Sequence, residues 1–307
     1  METVGINMTH DASFCYCVDG KIDLFIEEER LSRRKHDHTP LRTIIEYFEN
    51  SHAGVTGLEY DDVGLPELSA YIELALKKKS NVVVDLYKEH HLLHAMCGFY
   101  NSEFEEADVV VVDGMGNNSE VASRFRVTRP SSIKLLEKHI DIGIGMVYSS
   151  ISEYLGFGQL GSGKVMGLAP YGKEDPEIKP FVIEDEVNSS LFNRTQGGSH
   201  CGYALNFIPY DYLPKHWDYR NWNEDVQRIA NLAYRLQKDF EKWMTNFILK
   251  CDHKNIVLTG GCALNCVANY EYLKHLPKDV NLYIEPVSND AGTAIGLAKY
   301  LYYHERN

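Results

Sequence analysis

The chain alternates between short hydrophobic segments and amphipathic segments with a recognisable period. Its first apolar run, "TVGIN", is followed by an alternating run that ends at Val18, and a second alternating run follows Asp19-Gly20 and ends at Glu27. An Asp-Gly pair between two alternating runs is typical of a β-hairpin. The segment therefore predicts three strands.

Later segments show the spacing of helices. A helical period predicts a helix over about Pro40–Asn50, a long helix over about Asn223–Lys250 and a last helix from about Ala291. Between them stand the apolar or alternating runs "VVVVD", "EVASRFRVT", "IKLLEKHI", "NIVLT" and "NLYIEP", which predict strands. Strands that alternate with helices in this way indicate an α/β protein.

The same plan of strand, polar turn and antiparallel strands occurs twice, once at the amino terminus and once from Asp108. The repeat is one of pattern and predicts two similar lobes facing a cleft. We expect residues 1–103 to form the first lobe and residues 104–307 the second, with the last helix packing back on the first. The irregular segment from Lys173 to Tyr219 remains unplaced.

Composition limits the partners that the protein can have. The 307 residues include 31 lysines and arginines against 44 acidic residues, which gives a net charge of −13. A net negative charge of this size repels nucleic-acid polymers and anionic lipid surfaces, so neither is expected as a direct partner. With no membrane span or signal peptide in the sequence and seven cysteines mostly within apolar segments, we expect a cytoplasmic protein with reduced core thiols.

The segment "EHHLLHA" is the first candidate for chemistry. His90 and His94 are four residues apart, which places both imidazoles on one face of a helix and lets them share a metal. Asp113 ends the run of four valines at a glycine turn, where a carboxylate can reach a cleft. Taken alone, the histidine pair is equally consistent with a solvated or core-edge pair, and Asp113 with an ordinary strand end.

Two strand-to-helix turns near the carboxyl end carry similar signals. In "LTGGCALNC", the Gly260-Gly261 turn directly precedes a helix, and its free backbone N–H groups suit a phosphate, although paired glycines are also common in plain turns. In "SNDAGTAIG", Asp290 is positioned either as a helix N-cap or as a further metal ligand.

Two further segments leave their roles open. "GSGKVMGLAPYG" lacks the spacing of a Walker loop and is either a glycine-rich connection between lobes or a flexible loop that brings Lys164 to a phosphate or carbonyl oxygen. His10-Asp11 is either a polar turn pair or a histidine that acts as a base or hydrogen-bond donor beside the cleft.

Seven motifs in order carry a family resemblance: "THDAS", "EEERLSRRKHD", "HHLLHAMCGFYNS", "VVDGMG", "GKVMGLAPYG", "GGCALNCVAN" and "NDAGTAIG". Together they resemble the amino-terminal domain of O-carbamoyltransferases of the nodulation and antibiotic-tailoring type, which are related to the tRNA threonylcarbamoyl-transfer proteins. The resemblance covers nearly the whole chain outside Lys173–Tyr219. It implies the two-lobed actin–sugar kinase–Hsp70 (ASKHA) superfold.

The resemblance also implies a reaction and a set of ligands. The expected reaction moves a carbamoyl group from carbamoyladenylate, made from carbamoyl phosphate and ATP, to an acceptor hydroxyl. The family positions imply a divalent metal, commonly iron and alternatively manganese or zinc, together with a bound nucleotide. They imply these site residues: His90, His94, Asp113 and Asp290 for the metal; Gly260, Gly261, Asn265 and Gly163 for the nucleotide; His10, Lys35 and Lys164 around the carbamoyl group and phosphate.

The sequence ends after the last helix of this domain, without the carboxy-terminal YrdC-like domain that usually makes the adenylate in this family. We therefore expect a separate YrdC-like subunit or a homodimer to complete the reaction, and a sugar, other small molecule or nucleotide as acceptor. Two other functions stay open: a phosphotransferase on the same superfold, and a nucleotide-binding regulatory subunit without catalysis.

Overall fold

The computed structural model describes residues 1–47, 55–60, 82–195, 204–214 and 216–304. The strands are β1 (Glu2–Met8), β2 (Ser13–Val18), β3 (Lys21–Glu27), β4 (Val55–Tyr60), β5 (Val82–Asp85), β6 (Glu106–Val112), β7 (Glu120–Thr128), β8 (Ser132–Ile140), β9 (Val182–Ile183), β10 (Glu186–Val187), β11 (Phe192–Thr195), β12 (Ala204–Phe207), β13 (Asn255–Thr259) and β14 (Asn281–Ile284). The helices are α1 (Glu28–Ser32), α2 (Leu41–Tyr47), α3 (His90–Asn101), α4 (Ile144–Tyr154), α5 (Ser162–Leu168), α6 (Glu224–Ile248), α7 (Cys266–His275) and α8 (Gly292–His304).

Two five-stranded sheets with the same topology form the framework. The first has the order β3-β2-β1-β4-β5, and the second has the order β8-β7-β6-β13-β14. In each sheet, three consecutive strands pair antiparallel and two later strands add in parallel. The repeat predicted from the sequence pattern is therefore present as a duplicated sheet.

Helices α3 and α8 pack against each other between the sheets. Helix α8 packs on β1, β2 and β4, whereas α3 packs on β6, β7 and β13. The last helix thus contacts the first sheet, and α3, which belongs to the first expected lobe by sequence, contacts the second sheet.

Glycines allow these layers to approach closely. A Cβ atom on Gly5 of β1 would lie 2.0 Å from the carbonyl oxygen of Ala294, and one on Gly296 of α8 would lie 2.0 Å from that of Leu93. Neither position has room for a side chain because the obstacle is backbone. These glycines allow the close packing of four layers, which are the first sheet, α8, α3 and the second sheet.

The long helix α6 covers the other face of the second sheet. Its amphipathic sequence buries a stripe that includes Val226, Ile229, Leu236, Phe240 and Phe247. Asn223 caps its first turn by accepting a hydrogen bond from the backbone N–H of Val226 at 3.0 Å. This helix closes the largest hydrophobic core, which also contains parts of β6, β13 and α4.

One segment differs from its sequence prediction, and a second segment is one that the sequence leaves unplaced. "GSGKVMGLAPYG" forms the short helix α5 and a following 3₁₀ turn instead of a loop, because Val165 and Leu168 enter the core one turn apart. The unplaced Lys173–Tyr219 segment carries the small hairpins β9–β10 and β11–β12 among its described residues.

Most of the cysteines are buried, as the sequence predicts. Cys15, Cys17, Cys97 and Cys262 are buried free thiols, whereas Cys266 is exposed on α7. Cys201 and residues 48–50 of the helix predicted over Pro40–Asn50 lie outside the described residues. Within the described ranges, no helix combines the length and apolar character that crossing a membrane would require.

Candidate metal and nucleotide site

A cavity of about 770 Å³ lies where the carboxyl ends of β1 and β6 meet. Its polar wall includes Thr9, His10, His90, Asp113 and Asp290. Ligand sites in open α/β sheets commonly lie at the carboxyl ends of strands, where turns present side chains and backbone N–H groups. The two sheets thus contribute equivalent strand ends to one cavity.

The histidine pair occupies the first turn of α3. His90 begins this helix and His94 follows one turn later, and both side chains are buried. Their Nε2 atoms lie 3.1 Å apart. The predicted juxtaposition of the two imidazoles is therefore present, and His90 lines the cavity.

Two carboxylates reach the pair from different elements. Asp113 follows β6 directly, and Asp290 precedes α8. Asp113 Oδ2 lies 3.2 Å from His90 Nε2 and 3.7 Å from His94 Nε2, and Asp290 Oδ1 lies 3.7 Å from each of these nitrogens. The second oxygen of Asp290 accepts a hydrogen bond from Thr9 Oγ1 at 3.1 Å. The Asp290 side chain thus points into the cluster.

Carboxylates and histidines in this cluster stabilise each other's charged forms. Burial opposes the protonation of His90, but the charges of Glu59 and Asp290 and a hydrogen bond with Asp113 raise its pKa well above the usual value. Burial likewise opposes ionisation of Asp113, yet its hydrogen bonds with His90 and His94 keep its pKa well below the usual range. The carboxylates therefore remain anionic and favour positive charge at the centre of the cluster.

The donor set fits a divalent transition metal. One ligand atom from each of His90, His94, Asp113 and Asp290 lies within 4.8 Å of the others, and all four residues are buried. Two imidazole nitrogens with two carboxylate oxygens suit iron, manganese or zinc better than calcium or magnesium, which prefer oxygen ligands. The residues present fit the metal that the sequence resemblance implies.

Glu59 is a supporting residue that the sequence prediction missed. It lies near the end of β4 with no exposed surface, and its Oε1 lies 2.6 Å from His90 Nδ1. A carboxylate on one imidazole nitrogen fixes the tautomer and directs the other nitrogen towards a metal. The local sequence "VTGLEY" has no signal for this role, because only the pairing of β4 with β1 brings Glu59 beneath His90.

His91 lies on a different face of α3 from His90 and His94. Its Nδ1 lies 2.8 Å from Ser123 Oγ on β7, away from the cavity. Burial, together with the charge of His90, holds the pKa of His91 well below the usual value. His91 is therefore a neutral core residue.

The Gly260-Gly261 turn is joined directly to the cluster of His90, His94, Asp113 and Asp290. The backbone N–H of Gly261 donates to Asp113 Oδ1 at 3.0 Å. Gly260 has a φ of +85°, and a Cβ atom there would lie 2.4 Å from the carbonyl oxygen of Val112. Gly261 lines the cavity, whereas Gly260 supplies the backbone turn behind it.

Asn265 lines the cavity and also has structural contacts. Its side chain caps α7 by accepting from the backbone N–H of Ala268 at 3.1 Å, and it exchanges two hydrogen bonds with Gln237 on α6. Tyr148 donates to the same Gln237 at 2.7 Å. This buried network fixes the floor of the cavity between α4, α6 and α7.

His10 lies between two carboxylates. Its Nδ1 is 3.2 Å from Asp290 Oδ2, and its Nε2 is 3.5 Å from Asp11 Oδ2. Burial opposes its protonation, but the charges of Asp290 and Asp11 raise its pKa. With an acceptor near each ring nitrogen, His10 is suited to the protonated form and to donating hydrogen bonds.

The structure does not place the two predicted lysines on the cavity wall. Lys35 is exposed, whereas the next residue, His36, lines the cavity. Lys164 is also exposed, and its Nζ lies 5.6 Å from the centre of the Phe157 ring. Gly163, beside Lys164 at the start of α5, does line the cavity.

A second polar group that was not singled out as a site lies next to His10. Asp11, Glu29 and His36 place one potential ligand atom each within 4.8 Å of one another. The closest contact joins His36 Nδ1 to Asp11 Oδ1 at 2.7 Å. The charged segment "EEERLSRRKHD" supplies two of these residues, although its composition alone is typical of a solvated loop.

Comparisons of sequence agree with the motif resemblance. The family model described as "Carbamoyltransferase N-terminus" matches residues 42–299. An uncharacterized protein of Synechocystis is 28% identical over 94% of the chain and 55% of its own length. Nodulation protein NolNO of Sinorhizobium fredii is 26% identical over 94% of the chain and 46% of its own length. The chain thus spans about half the length of these curated relatives.

Comparison of structures shows the fold. Full-length HypF in its phosphate- and nucleotide-bound form matches all of the chain and 56% of its own chain, with a TM-score of 0.54 and 12% sequence identity. HypF contains an ASKHA-type fold, and the duplicated sheets of the present chain belong to the same superfold. The predicted fold class is confirmed.

Proposed function

Since the chain belongs to the carbamoyltransferase amino-terminal family, we propose that it transfers a carbamoyl group from carbamoyladenylate to the hydroxyl group of an acceptor. The observation that supports this most directly is the buried cluster of His90, His94, Asp113 and Asp290, which opens into a cavity large enough for a nucleotide. The family assignment confirms the resemblance inferred from the motifs.

The cavity offers separate surroundings for the two ends of an adenylate. Met146, Met166 and Leu205 give one part of its lining an apolar character that suits a purine ring, whereas the metal ligands and the Gly261 turn suit a phosphate. HypF, which shares the fold, has been crystallised with phosphate and nucleotide. We assign Gly163 and Asn265 to the nucleotide side of the cavity.

A divalent cation in the four-residue cluster would supply local positive charge inside this net acidic protein. His90, His94, Asp113 and Asp290 would hold a divalent cation, with Glu59 fixing His90 from behind. A bound divalent cation offsets the charge on a phosphate and stabilises it as a leaving group. His10 lies beside Asp290 at the same end of the cavity, and its protonated form would add positive charge near a bound phosphate.

Lys35 and Lys164 do not line the cavity, so in this proposal they contact the substrate only after a side-chain movement. Both are exposed, and long lysine side chains reach a bound phosphate or carbonyl oxygen only after rotation towards the cavity. The adenylate is supplied from outside this domain, by a separate adenylate-forming unit. The acceptor is a small molecule or nucleotide with a free hydroxyl group.

The test is turnover of synthetic carbamoyladenylate by the purified, metal-loaded chain. AMP release together with formation of a carbamate ester on an added polyol supports the proposal. Release of ADP from ATP in the presence of the polyol would instead identify a phosphotransferase. Tight binding of the adenylate without accelerated AMP release would identify a regulatory nucleotide-binding protein.

A further inference from the structure

His36 lies on the same cavity as the metal cluster but takes no part in it. The residue follows α1 in the loop that leads to α2, and its side chain is 29% exposed. Its ring centre lies 6.4 Å from that of His10, which in turn contacts Asp290. His36 is therefore separated from the proposed metal ligands by one imidazole ring.

The ring of His36 is oriented by a carboxylate. Its Nδ1 donates to Asp11 Oδ1 at 2.7 Å, which leaves the lone pair on Nε2. Among the described residues, no hydrogen bond reaches His36 Nε2. An aspartate on Nδ1 is the arrangement that prepares the opposite nitrogen of a histidine to accept a proton.

Asp11 is itself held in place on both sides. Its Oδ2 accepts a hydrogen bond from Asn289 Nδ2 at 3.2 Å, and its carbonyl oxygen accepts one from Asn7 Nδ2 at 3.0 Å. The same Asn7 amide donates to the carbonyl oxygen of Asp290 at 2.9 Å. Asp11 is thus fixed relative to the turn that carries a metal ligand.

The backbone of His36 is also constrained. The residue has a φ of +56°, in the left-handed region that side-chain-bearing residues rarely adopt. Its N–H donates to Glu29 Oε2 at 3.1 Å, and the following carbonyl, that of Asp37, accepts from the backbone N–H of Ala12 at 2.9 Å. Strained backbone held by several contacts is a frequent feature of functional sites.

His10 is less suited than His36 to accept a proton. Both of its ring nitrogens face carboxylate oxygens, at 3.2 and 3.5 Å, so neither is directed at an incoming substrate. His36 has one nitrogen engaged, and its other nitrogen has no hydrogen-bond partner among the described residues. The geometry therefore divides two roles between these neighbouring histidines.

We infer that His36, oriented by Asp11, is the general base that accepts the proton of the attacking hydroxyl. This inference rests on the proposed carbamoyl transfer. The acceptor oxygen forms a bond to the carbamoyl carbon, the bond from that carbon to the phosphate oxygen breaks, and AMP leaves as the anion. The hydroxyl proton passes to His36 Nε2. Asp11 is a positioning residue, because it acts through His36.

Two probe nucleophiles test this role against synthetic carbamoyladenylate. Glycerol in water presents hydroxyl groups that must lose a proton as they attack, whereas hydroxylamine is nucleophilic enough to react without a base. General-base catalysis contributes about 10²–10⁴-fold to a rate. We expect His36→Gln and Asp11→Asn to lower AMP release with glycerol by about 10²-fold or more, while the rate with hydroxylamine stays within about threefold of the unaltered chain.

Controls separate this role from a loss of structure. Bound metal should be unchanged in His36→Gln, and added imidazole should partly restore the glycerol reaction of His36→Ala. Equal losses of rate with both nucleophiles, or no loss of rate with glycerol, would overturn the inference. It would also be overturned if the unaltered chain accelerated only the hydroxylamine reaction. If the unaltered chain accelerates neither reaction, the proposed function itself fails.

Discussion

Glu59 Oε1 lies 2.6 Å from His90 Nδ1, and neither residue has more than 2% of its surface exposed. This contact joins a strand of the first sheet to the helix that packs on the second. It directs His90 Nε2 into the four-residue cluster. The geometry of the cluster therefore depends on a residue that is not one of its ligands.

The first prediction concerns this contact. Glu59→Gln keeps the shape of the side chain but removes the charge that makes His90 a stronger ligand. Loss of such a partner typically weakens metal affinity about 10–100-fold. Competition with a chelator should measure a weaker metal affinity of this size, while the thermal unfolding of the metal-free protein changes little. Unchanged affinity would show that Glu59 only fills space.

The second prediction concerns the ligands. His94→Ala should remove most of the metal measured by elemental analysis, because it deletes one of the four donors. His91→Gln is the matched control, since His91 is an equally buried histidine of the same helix that faces Ser123. The control should retain metal at the level of the unaltered chain. Equal metal content in both variants would exclude His94 from the site.

The third prediction concerns the glycine turn. A Cβ atom on Gly261 would lie 2.7 Å from Asp113 Oδ1, so Gly261→Val should displace the carboxylate as well as block the cavity. We expect weaker binding of both AMP and metal, measured by calorimetry and elemental analysis. Gly167→Ala on α5 is the control, because an added Cβ atom meets nothing within 4 Å there. AMP affinity unchanged in Gly261→Val would contradict the phosphate role of this turn.

The fourth prediction compares two glycines that face each other in β1 and β4. Gly5 and Gly57 are register partners under α8. A Cβ atom on Gly5 meets the backbone oxygen of Ala294 at 2.0 Å, whereas one on Gly57 meets only the side-chain ends of Leu297 and Leu301 at 3.0 Å. Gly5→Ala should lower the free energy of unfolding by about 1–3 kcal/mol. Gly57→Ala should cost less, and the reverse order in urea unfolding would contradict the packing described.

The fifth prediction concerns acid stability. Partial burial of Glu137 favours its neutral form, but hydrogen bonds with His139, Lys250 and Arg124 lower its pKa to about 2. Because the pKa is lower in the folded state, Glu137 stabilises the fold above the ordinary glutamate value near 4.5, and this stabilisation is lost as the pH falls towards 2. Glu137→Gln should therefore lower Tm at neutral pH by an amount equivalent to about 1 kcal/mol or less. The difference should shrink in thermal scans as the pH falls from 4.5 to about 2, and a constant difference would contradict this origin.

Much of the fold follows from local patterns in the chain. The Asp19-Gly20 hairpin, the alternating strands β7 and β8 and the amphipathic helix α6 each have a period that local physics determines. The duplicated order of the strands also follows, because the same run of elements occurs twice. The helix α5 was harder to predict, because glycines conceal the period of its two buried residues.

The sequence by itself determined that His90 and His94 share one face of a helix, since that relationship depends only on the helical period. It also determined that Asp113 follows a buried strand and that Asp290 stands at a strand-to-helix turn. The motif resemblance grouped these four residues, but local patterns could not, because the residues come from segments up to 200 residues apart and meet only in the tertiary structure. The roles of Glu59, Asp11 and His36 were visible only in the tertiary structure. Strand pairing brings Glu59 to His90, and loop closure brings His36 to Asp11, and both depend on contacts across the whole chain.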